Sequence, residues 1–507
     1  MGKGARQKKS PGSVPVIEKK GQHSGENPAL SLHQETLVLG ILVILGLFLR
    51  LFEIARKPLW LDEATTNSLT IQPDLMAVVT AASNDHHAPL HFVTIWVVKF
   101  VGSSEFLLRL PSAIAGTLTI IAIFFIAKEL YDGRAGLIAV ALLAVSPIHL
   151  HYSQEARMYG MAVLFVALAV WMFLRASRTG ELSDWLFFGG ACTLAFYTHF
   201  YTAFIIAALV AGYFILRFRD FLPKKTGACA DMNSFPLPHD LRNFACGLAL
   251  AALLVLPLLG SFFSQSGYFV SHTFNWGLPL WNIPPATFIA FSAYSELFAV
   301  FFVCLMLAGL AIIGMKKVEM AITLAVLLFV PILISMYLSS IIPFNVRYHL
   351  YLIVVFLSLV AVPLGWIAGK MDIPYGTVVV IGIILLLSAI PVYAYYTDPI
   401  QEDWRTFSKN LMQETRAGDI IAPLPSYMSL PLAYYYDNAS DATVYRSFPL
   451  NESGFRSLEN TSESVYYVVT WDIVAADPSG YSLGYLSNRT LQMPGSVDGI
   501  LLLKKIS

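Results

Sequence analysis

Charge is scarce in this sequence. Only 13% of its 507 residues are Asp, Glu, Lys or Arg, where a soluble domain carries about 25%. The 33 basic and 33 acidic side chains cancel, so no overall basic field exists to attract nucleic acid. Cysteine is also rare. Cys192, Cys229, Cys246 and Cys304 lie in apolar segments or in a loop, without paired metal-ligand spacing, which argues against a disulfide framework. No period of 20–50 residues recurs, which excludes a repeat architecture. Residues 264–295 contain neither Lys nor Arg.

What is present is oil. Hydrophobic residues make up 56% of the chain and the mean hydropathy is +0.63. Apolar runs near the ~20 residues needed to cross a bilayer recur along it, which predicts a polytopic α-helical membrane protein. Residues 1–35 carry Lys3, Arg6, Lys8, Lys9, Lys19 and Lys20 among Gly, Ser and Pro. They are too long and polar for a secretory signal and read as a disordered cytoplasmic tail. Spans are expected at about 36–52, 110–130, 135–148 and 159–174, two flanking 197–201, and at 244–263. Further spans end at Lys316-Lys317, lead out to 341–347, end at Lys370 and cover 375–396. With about eleven spans every Lys/Arg-rich loop falls on the cytoplasmic side. That places a multi-pass protein in the cell membrane with its N-terminus cytoplasmic and 53–108 as a long outer loop. Within that loop, 62–70 starts a helix and 89–102 lies at the interface rather than across it.

The membrane domain is thus 36–396, and residues 397–507 form a small extracytoplasmic α/β domain. Strand-like runs occur at 419–424, 465–471 and 500–505. Residues 402–415 have helical periodicity, with Trp404, Phe407 and Leu411 on one face. Asn438, Asn451, Asn460 and Asn488 begin Asn-X-Ser/Thr glycosylation patterns, which chance can also supply.

Charges near a bilayer are costly and need a reason. This topology gathers Asp62, Glu63, His86, His87, Arg109, Glu155, Arg157, His199, Arg347 and Tyr348 at one membrane edge. Arginines bind phosphate by bidentate, charge-assisted hydrogen bonds, and a carboxylate accepts a proton from an attacking hydroxyl. Plainer roles exist for each. Asp62 can N-cap a helix, Glu63 can be a first-turn carboxylate, and Glu155 can pair with Arg157 in solvent. Arg109 and Arg347 can snorkel to headgroups. His87 and His91 are spaced i,i+4 as zinc ligands often are, but Pro89 intervenes. Tyr427, Tyr434, Tyr435 and Tyr436 suit core or interface positions better than a carbohydrate platform. The residues alone admit an enzyme or, as the second reading, a transporter or flippase of lipid-linked solutes. The charges lie at loop edges rather than span centres, and no inverted repeat is visible, which favours the enzyme.

Three stretches add a family resemblance. Leu59-Trp60-Leu61-Asp62-Glu63, His86-His87-Ala88-Pro89-Leu90-His91-Phe92 and the run from Glu105 through Arg109 to Ser112 resemble the start of a C-type glycosyltransferase. The protein O-mannosyltransferase and aminoarabinose transferase superfamily (glycosyltransferase family 39-type) is the nearest in pattern. Ser146-Pro147 followed by Tyr152-Ser153-Gln154-Glu155-Ala156-Arg157-Met158-Tyr159, and later Glu402-Asp403-Trp404-Arg405 with Gly418-Asp419, are similar to further stretches of its prokaryotic members. The resemblance implies inverting transfer of a sugar, hexosyl or pentosyl, from a polyprenyl- or dolichyl-phosphate carrier to an acceptor hydroxyl of a protein, lipid or glycan on the outer face. It implies Asp62 as general base with Glu63 beside it, Glu155 as the second acidic residue, and Arg109 and Arg347 at the lipid phosphate. Arg157, His199 and Tyr348, gathered at the same edge, are expected as further substrate contacts. His87 matches a His-Pro-Pro-Leu stretch in which Ala88 replaces the first Pro. Some relatives bind a divalent metal ion near this loop, with His87 its candidate ligand here, and others need none. An oligosaccharyltransferase would need a Trp-Trp-Asp-Tyr-Gly-type signature, and the tail offers only Thr470-Trp471-Asp472.

Overall fold

The computed structural model describes residue 2 and residues 31–221, 238–271, 277–371, 375–400, 402–436, 442–445, 447–459 and 461–506. Most of the basic tail, Lys224, Lys225, Cys229, His272, Asn438 and Asn460 fall outside them.

The first helix, α1 (Leu32–Leu51), starts a few residues before the expected span. Ser31 and Gln34 form a reciprocal capping box there, satisfying amide groups that a helix start otherwise leaves free. Three short helices follow: α2 (Leu61–Leu69), α3 (Leu75–Asn84) and α4 (Leu90–Val98). The nine residues of α4 are far too few to span, in keeping with an interfacial segment. Next come α5 (Glu105–Leu130), α6 (Gly133–Ala144), α7 (Pro147–Ser153), α8 (Tyr159–Thr179), α9 (Leu182–Thr198) and α10 (Thr202–Leu216). The second half of the bundle holds α11 (Leu241–Val255), α12 (Leu259–Ser271), α13 (Ile283–Phe291), α14 (Glu296–Lys316), α15 (Val318–Leu338), α16 (Ile353–Lys370) and α17 (Gly376–Thr397).

Among the described residues, eight helices are long and apolar enough to cross a bilayer, or nine if the bent pair α6–α7 counts as one span. The expected spans around 197–201 are helices α9 and α10, at 17 and 15 residues shorter than a typical span. α16 is buried along nearly its whole length and apolar all round, as the central helix of a bundle must be.

The span expected at 135–148 is not straight. It bends by 64° between α6 and α7, because Pro147 cannot donate a backbone hydrogen bond. Arg50, fully buried near the end of α1, caps the buried C-terminal end of α6. Its guanidinium donates to the carbonyls of Leu143 (3.3 Å), Ala144 (3.2 Å) and Gly46 (2.9 Å) and lies 2.7 Å from His149 Nδ1. Gly116 on α5 admits this packing: a Cβ there would collide with Ser153 and crowd Arg50. Gln154 then donates to the carbonyls of Leu49, Arg50 and Phe52 and accepts from Tyr395, tying α1 to α17. The loop after α7 is therefore anchored on both sides, and it carries Glu155 and Arg157.

After α17 the chain forms a five-stranded mixed sheet. Its strands are β1 (Ile420–Leu424), β2 (Thr443–Val444), β3 (Val465–Thr470), β4 (Thr490–Gln492) and β5 (Ile500–Lys505), in the order β2-β1-β3-β5-β4. β1 runs parallel to β2 and β3; β5 is antiparallel to β3 and β4. Helix α18 (Trp404–Glu414) buries Trp404, Phe407 and Leu411 against one face of the sheet. Asn451 and Asn488 are exposed, and the Asn451 Oδ1 accepts from the Gly454 amide at 3.1 Å.

This sheet region grips the loop before α2. Tyr435, at the end of α19 (Ser429–Tyr435), accepts from the Leu59 amide at 2.6 Å and bonds Glu105. Tyr434 donates to Ser103 O at 2.7 Å, and Arg405 bonds Ala55 O and Glu105. Tyr434 and Tyr435 are thus interface aromatics.

Candidate active site

Helix α2 begins where Pro58-Leu59-Trp60 stops being extended, and Trp60, not Asp62, occupies the N-cap position. The capping role open to Asp62 is therefore not the one it takes. Both acidic residues sit in the first turn, where the positive end of the helix dipole favours them. Their side chains then diverge to different partners.

Glu63 is 1% exposed and fully committed. Its carboxylate takes Arg109 Nε at 2.7 Å and Nη2 at 2.6 Å, and Oε1 also accepts from the Ala156 amide at 2.7 Å. Arg109 gives its remaining donors to the carbonyls of Ile54, Lys57 and Pro58. This corrects two expectations. Every donor of Arg109 is used inside the protein, leaving none for a lipid phosphate, and Glu63 has no oxygen free to take a proton from a substrate. The pair staples the loop before α2 to α5.

Asp62 faces a cavity of 450 Å³. Its Oδ2 accepts from Arg347 Nη1 at 2.8 Å and lies 3.9 Å from Arg157 Nε. The Arg347 guanidinium sits against the rings of Trp60, Tyr159 and Tyr348 at 5.5–5.8 Å, a cation–π cage that fixes its plane. Arg157 donates to the Asp62 carbonyl at 3.1 Å and to Thr66 Oγ1 at 3.2 Å. The Nε of Arg347 and the Nε of Arg157 are buried without hydrogen-bond partners. Away from the charges, the same cavity is walled by Phe204, Phe262, Leu338, Ile341 and Ile342.

His199 and His87 line this cavity as neutral rings. Burial, reinforced by Arg157 and Arg347, lowers the His199 pKa to about 3, and burial with Arg157 holds His87 well below its usual range. His199 Nδ1 accepts from the Tyr201 amide at 3.2 Å, and its ring lies 5.7 Å from Tyr348.

The side chains around His87, the candidate metal ligand, are mixed in charge. His87 Nε2 is 3.4 Å from Asp85 Oδ2, but its other close neighbour is the Arg157 cation, with Nη2 at 3.5 Å. Pro89 is the N-cap of α4, so His87 precedes that helix and does not share a turn with His91. Among the described residues no group of three or more His, Cys, Asp or Glu side chains is placed to hold a metal ion.

Glu155 closes the site on the other side. It is 3% exposed, its Oε1 accepts from Trp60 Nε1 at 3.0 Å, and its Oε2 has no hydrogen-bond partner. Burial, then the charges of Glu63 and Asp62, push its pKa up to about 8. Glu155 therefore does not form the solvated pair with Arg157 that sequence spacing allows. It lines a second cavity of 350 Å³ together with Trp60, Lys57, His151, Tyr395 and Glu402. Of the other histidines, His86 lines the first cavity, His149 serves Arg50, and His349 is buried between Thr287 and Ser335.

Sequence reasoning passed over Trp60, Tyr159 and Arg50. Trp60 and Tyr159 stood inside motifs already quoted, and an aromatic beside a buried arginine was the available signal.

Residues 86–230 match the family model described as dolichyl-phosphate-mannose-protein mannosyltransferase. No curated protein matches the sequence. Among solved structures, the fold is similar to ArnT from Cupriavidus metallidurans in its apo state, with TM-score 0.60 at 11% identity over 93% of this chain and 98% of that one. The same protein bound to undecaprenyl phosphate matches with TM-score 0.58 at 10% identity over 94% and 99%. The oligosaccharyltransferase of Archaeoglobus fulgidus in complex with Zn and sulfate matches with TM-score 0.55 at 14% identity, over 91% of this chain and 72% of that one.

Proposed function

From a multi-pass membrane protein of the C-type glycosyltransferase fold, we propose an inverting glycosyltransferase that takes its sugar from a polyprenyl or dolichyl phosphate. The observation that carries this reading is the Asp62 cavity. One end presents a carboxylate between two arginines whose Nε atoms lack partners, and the other end is apolar. Two guanidiniums at one end of the cavity favour an anion such as a phosphate through charge-assisted hydrogen bonds. The apolar end suits a prenyl chain. ArnT with bound undecaprenyl phosphate and the mannosyltransferase family model support that donor class.

When the donor phosphate binds, it competes with Asp62 for Arg347, and the Asp62 carboxylate is released to act as base. The acceptor oxygen then attacks the anomeric carbon while Asp62 takes its proton. The bond from that carbon to the phosphate oxygen breaks with inversion, and the polyprenyl phosphate leaves with the bonding electrons. Arg347 and Arg157 neutralise the charge that develops on it. His199 and Tyr348 wall the sugar end, and Glu155 holds Trp60. We place the cavity and the sheet domain on the extracytoplasmic side, since the Lys/Arg-rich loops lie at the other end.

The test is transfer of radiolabelled sugar from dolichyl-phosphate mannose in membranes holding the full chain. Asp62→Asn is expected to lower the rate by a factor of about 10²–10⁴, the usual weight of a positioned base. An unchanged rate overturns the assignment. Lipid or solute flux without sugar transfer from any donor would identify a transporter instead.

A further inference from the structure

The acceptor is the substrate left unspecified above, and a third cavity bears on it. This cavity, 440 Å³, lies between the sheet domain and the start of α2, with Trp60, Trp471, Glu402, Asp472 and Asp498 in its wall. Trp60 and Glu402 also line the 350 Å³ cavity of Glu155, so the two chambers meet at these side chains. Trp60 is the partition: its ring faces Arg347 at 5.7 Å and its Nε1 binds Glu155. At the inner end, Glu155 Oε2 is buried and unpaired, with His151 Nε2 no nearer than 3.9 Å. At the outer end, Trp471 stands just past β3 with 76% of its surface exposed, and Trp60 is 38% exposed.

The lining restricts what fits. Exposed indole faces call for an apolar face to stack on. The outer carboxylates Glu402, Asp472 and Asp498 accept hydrogen bonds and, when ionised, donate none, so the ligand must be rich in donors. A sugar ring meets both demands, with C–H faces and hydroxyl donors. In the inner chamber Arg56 pairs with Glu53 and Lys57 with Asp398, so neither leaves free positive charge along the path, and a neutral, hydroxyl-bearing ligand meets the lining of both chambers.

Resting on the glycosyltransfer reading, we propose that the acceptor is a neutral glycan. A sugar next to the reacting one stacks on Trp471 and Trp60, and the reacting hydroxyl passes Glu155 toward Asp62.

The experiment uses the full chain in nanodiscs with dolichyl-phosphate mannose as donor and two labelled acceptors, α-mannotriose and an uncharged Ser/Thr-rich peptide. The trisaccharide is expected to become labelled. Trp471→Ala should raise its KM at least tenfold with kcat within twofold, Trp471→Phe should restore much of the loss, and Trp281→Ala, exposed but lining neither chamber, should change nothing. Without donor, α-mannotriose should quench tryptophan fluorescence saturably in the wild type and not in Trp471→Ala. Labelling of the peptide alone overturns the proposal, as does a fall in kcat for Trp471→Ala at unchanged KM. Donor hydrolysed with neither acceptor labelled overturns the glycan subsite and leaves the glycosyltransfer reading standing. Donor neither transferred nor hydrolysed overturns both.

Discussion

Glu155 keeps its proton at a pH where a free glutamate has lost it, and that has a measurable consequence. Burial first, then Glu63 and Asp62, raise its pKa from 4.5 to about 8. In the unfolded chain the group ionises at its ordinary value, so between these two pH values the unfolded state binds fewer protons than the folded one. Its contribution to stability is complete below the unfolded value and is lost as pH rises through about 8. At about 1.36 kcal/mol per pH unit, the interval from 4.5 to about 8 corresponds to roughly 5 kcal/mol. Glu155 is only 3% exposed, so solvent screening removes little of that. Glu155→Gln keeps the Trp60 hydrogen bond and abolishes the titration. The assay is thermal unfolding of the detergent-solubilised full chain from pH 5 to 9. The wild-type midpoint should fall across this range by several degrees more than that of the variant, with the two curves diverging toward high pH. Parallel curves would refute the account of Glu155 as a buried, proton-bearing carboxyl.

Three further expectations concern the scaffold. Glu63→Gln and Arg109→Met should each cost about 3–5 kcal/mol, since removing one partner strands a buried charge, and the double variant should recover part of that loss in a thermal cycle; a Glu63→Gln protein of normal stability and no transfer would instead make Glu63 catalytic. Arg50→Met should lower stability by a similar amount, because the carbonyls at the α6–α7 bend lose their donor, and an unfolding midpoint within about a degree of wild type would contradict that role. Tyr435→Phe leaves the Leu59 amide unpaired, at about 1–3 kcal/mol; kcat should fall while circular dichroism stays native, and an unaltered kcat would show that the sheet domain does not hold the Asp62 loop.

Much of the site was legible because charge is rare in this chain. Asp62, Arg157, His199, Arg347 and Tyr348 stand out at the ends of apolar runs, and the structure gathers them around one cavity. What the residues could not say was how adjacent groups divide their partners. Asp62 and Glu63 are neighbours in sequence, yet successive positions on a helix point about 100° apart, so one meets Arg347 and the other Arg109. Arg109 reads as a phosphate ligand until the carbonyls of Ile54, Lys57 and Pro58 are seen around it, and no pattern announces a carbonyl cluster. Arg50 sits at the end of an apolar run, where a lone arginine ordinarily snorkels, and its partners lie some ninety residues onward at a proline bend. In the sheet domain, β1, β3 and β5 followed from short strand-like runs and α18 from helical periodicity. The clasp of Tyr435 on Leu59 spans 376 residues and had no local signal.

The claim that Asp62 and the donor phosphate compete for Arg347 is open to one direct measurement: the affinity of undecaprenyl phosphate and the single-turnover rate of sugar transfer, in wild type and Asp62→Asn. With the carboxylate charge gone, Arg347 is free for the phosphate. The variant should bind the lipid phosphate at least as tightly as wild type while transfer falls by about two orders of magnitude or more. Weaker binding with the transfer rate intact would contradict the account.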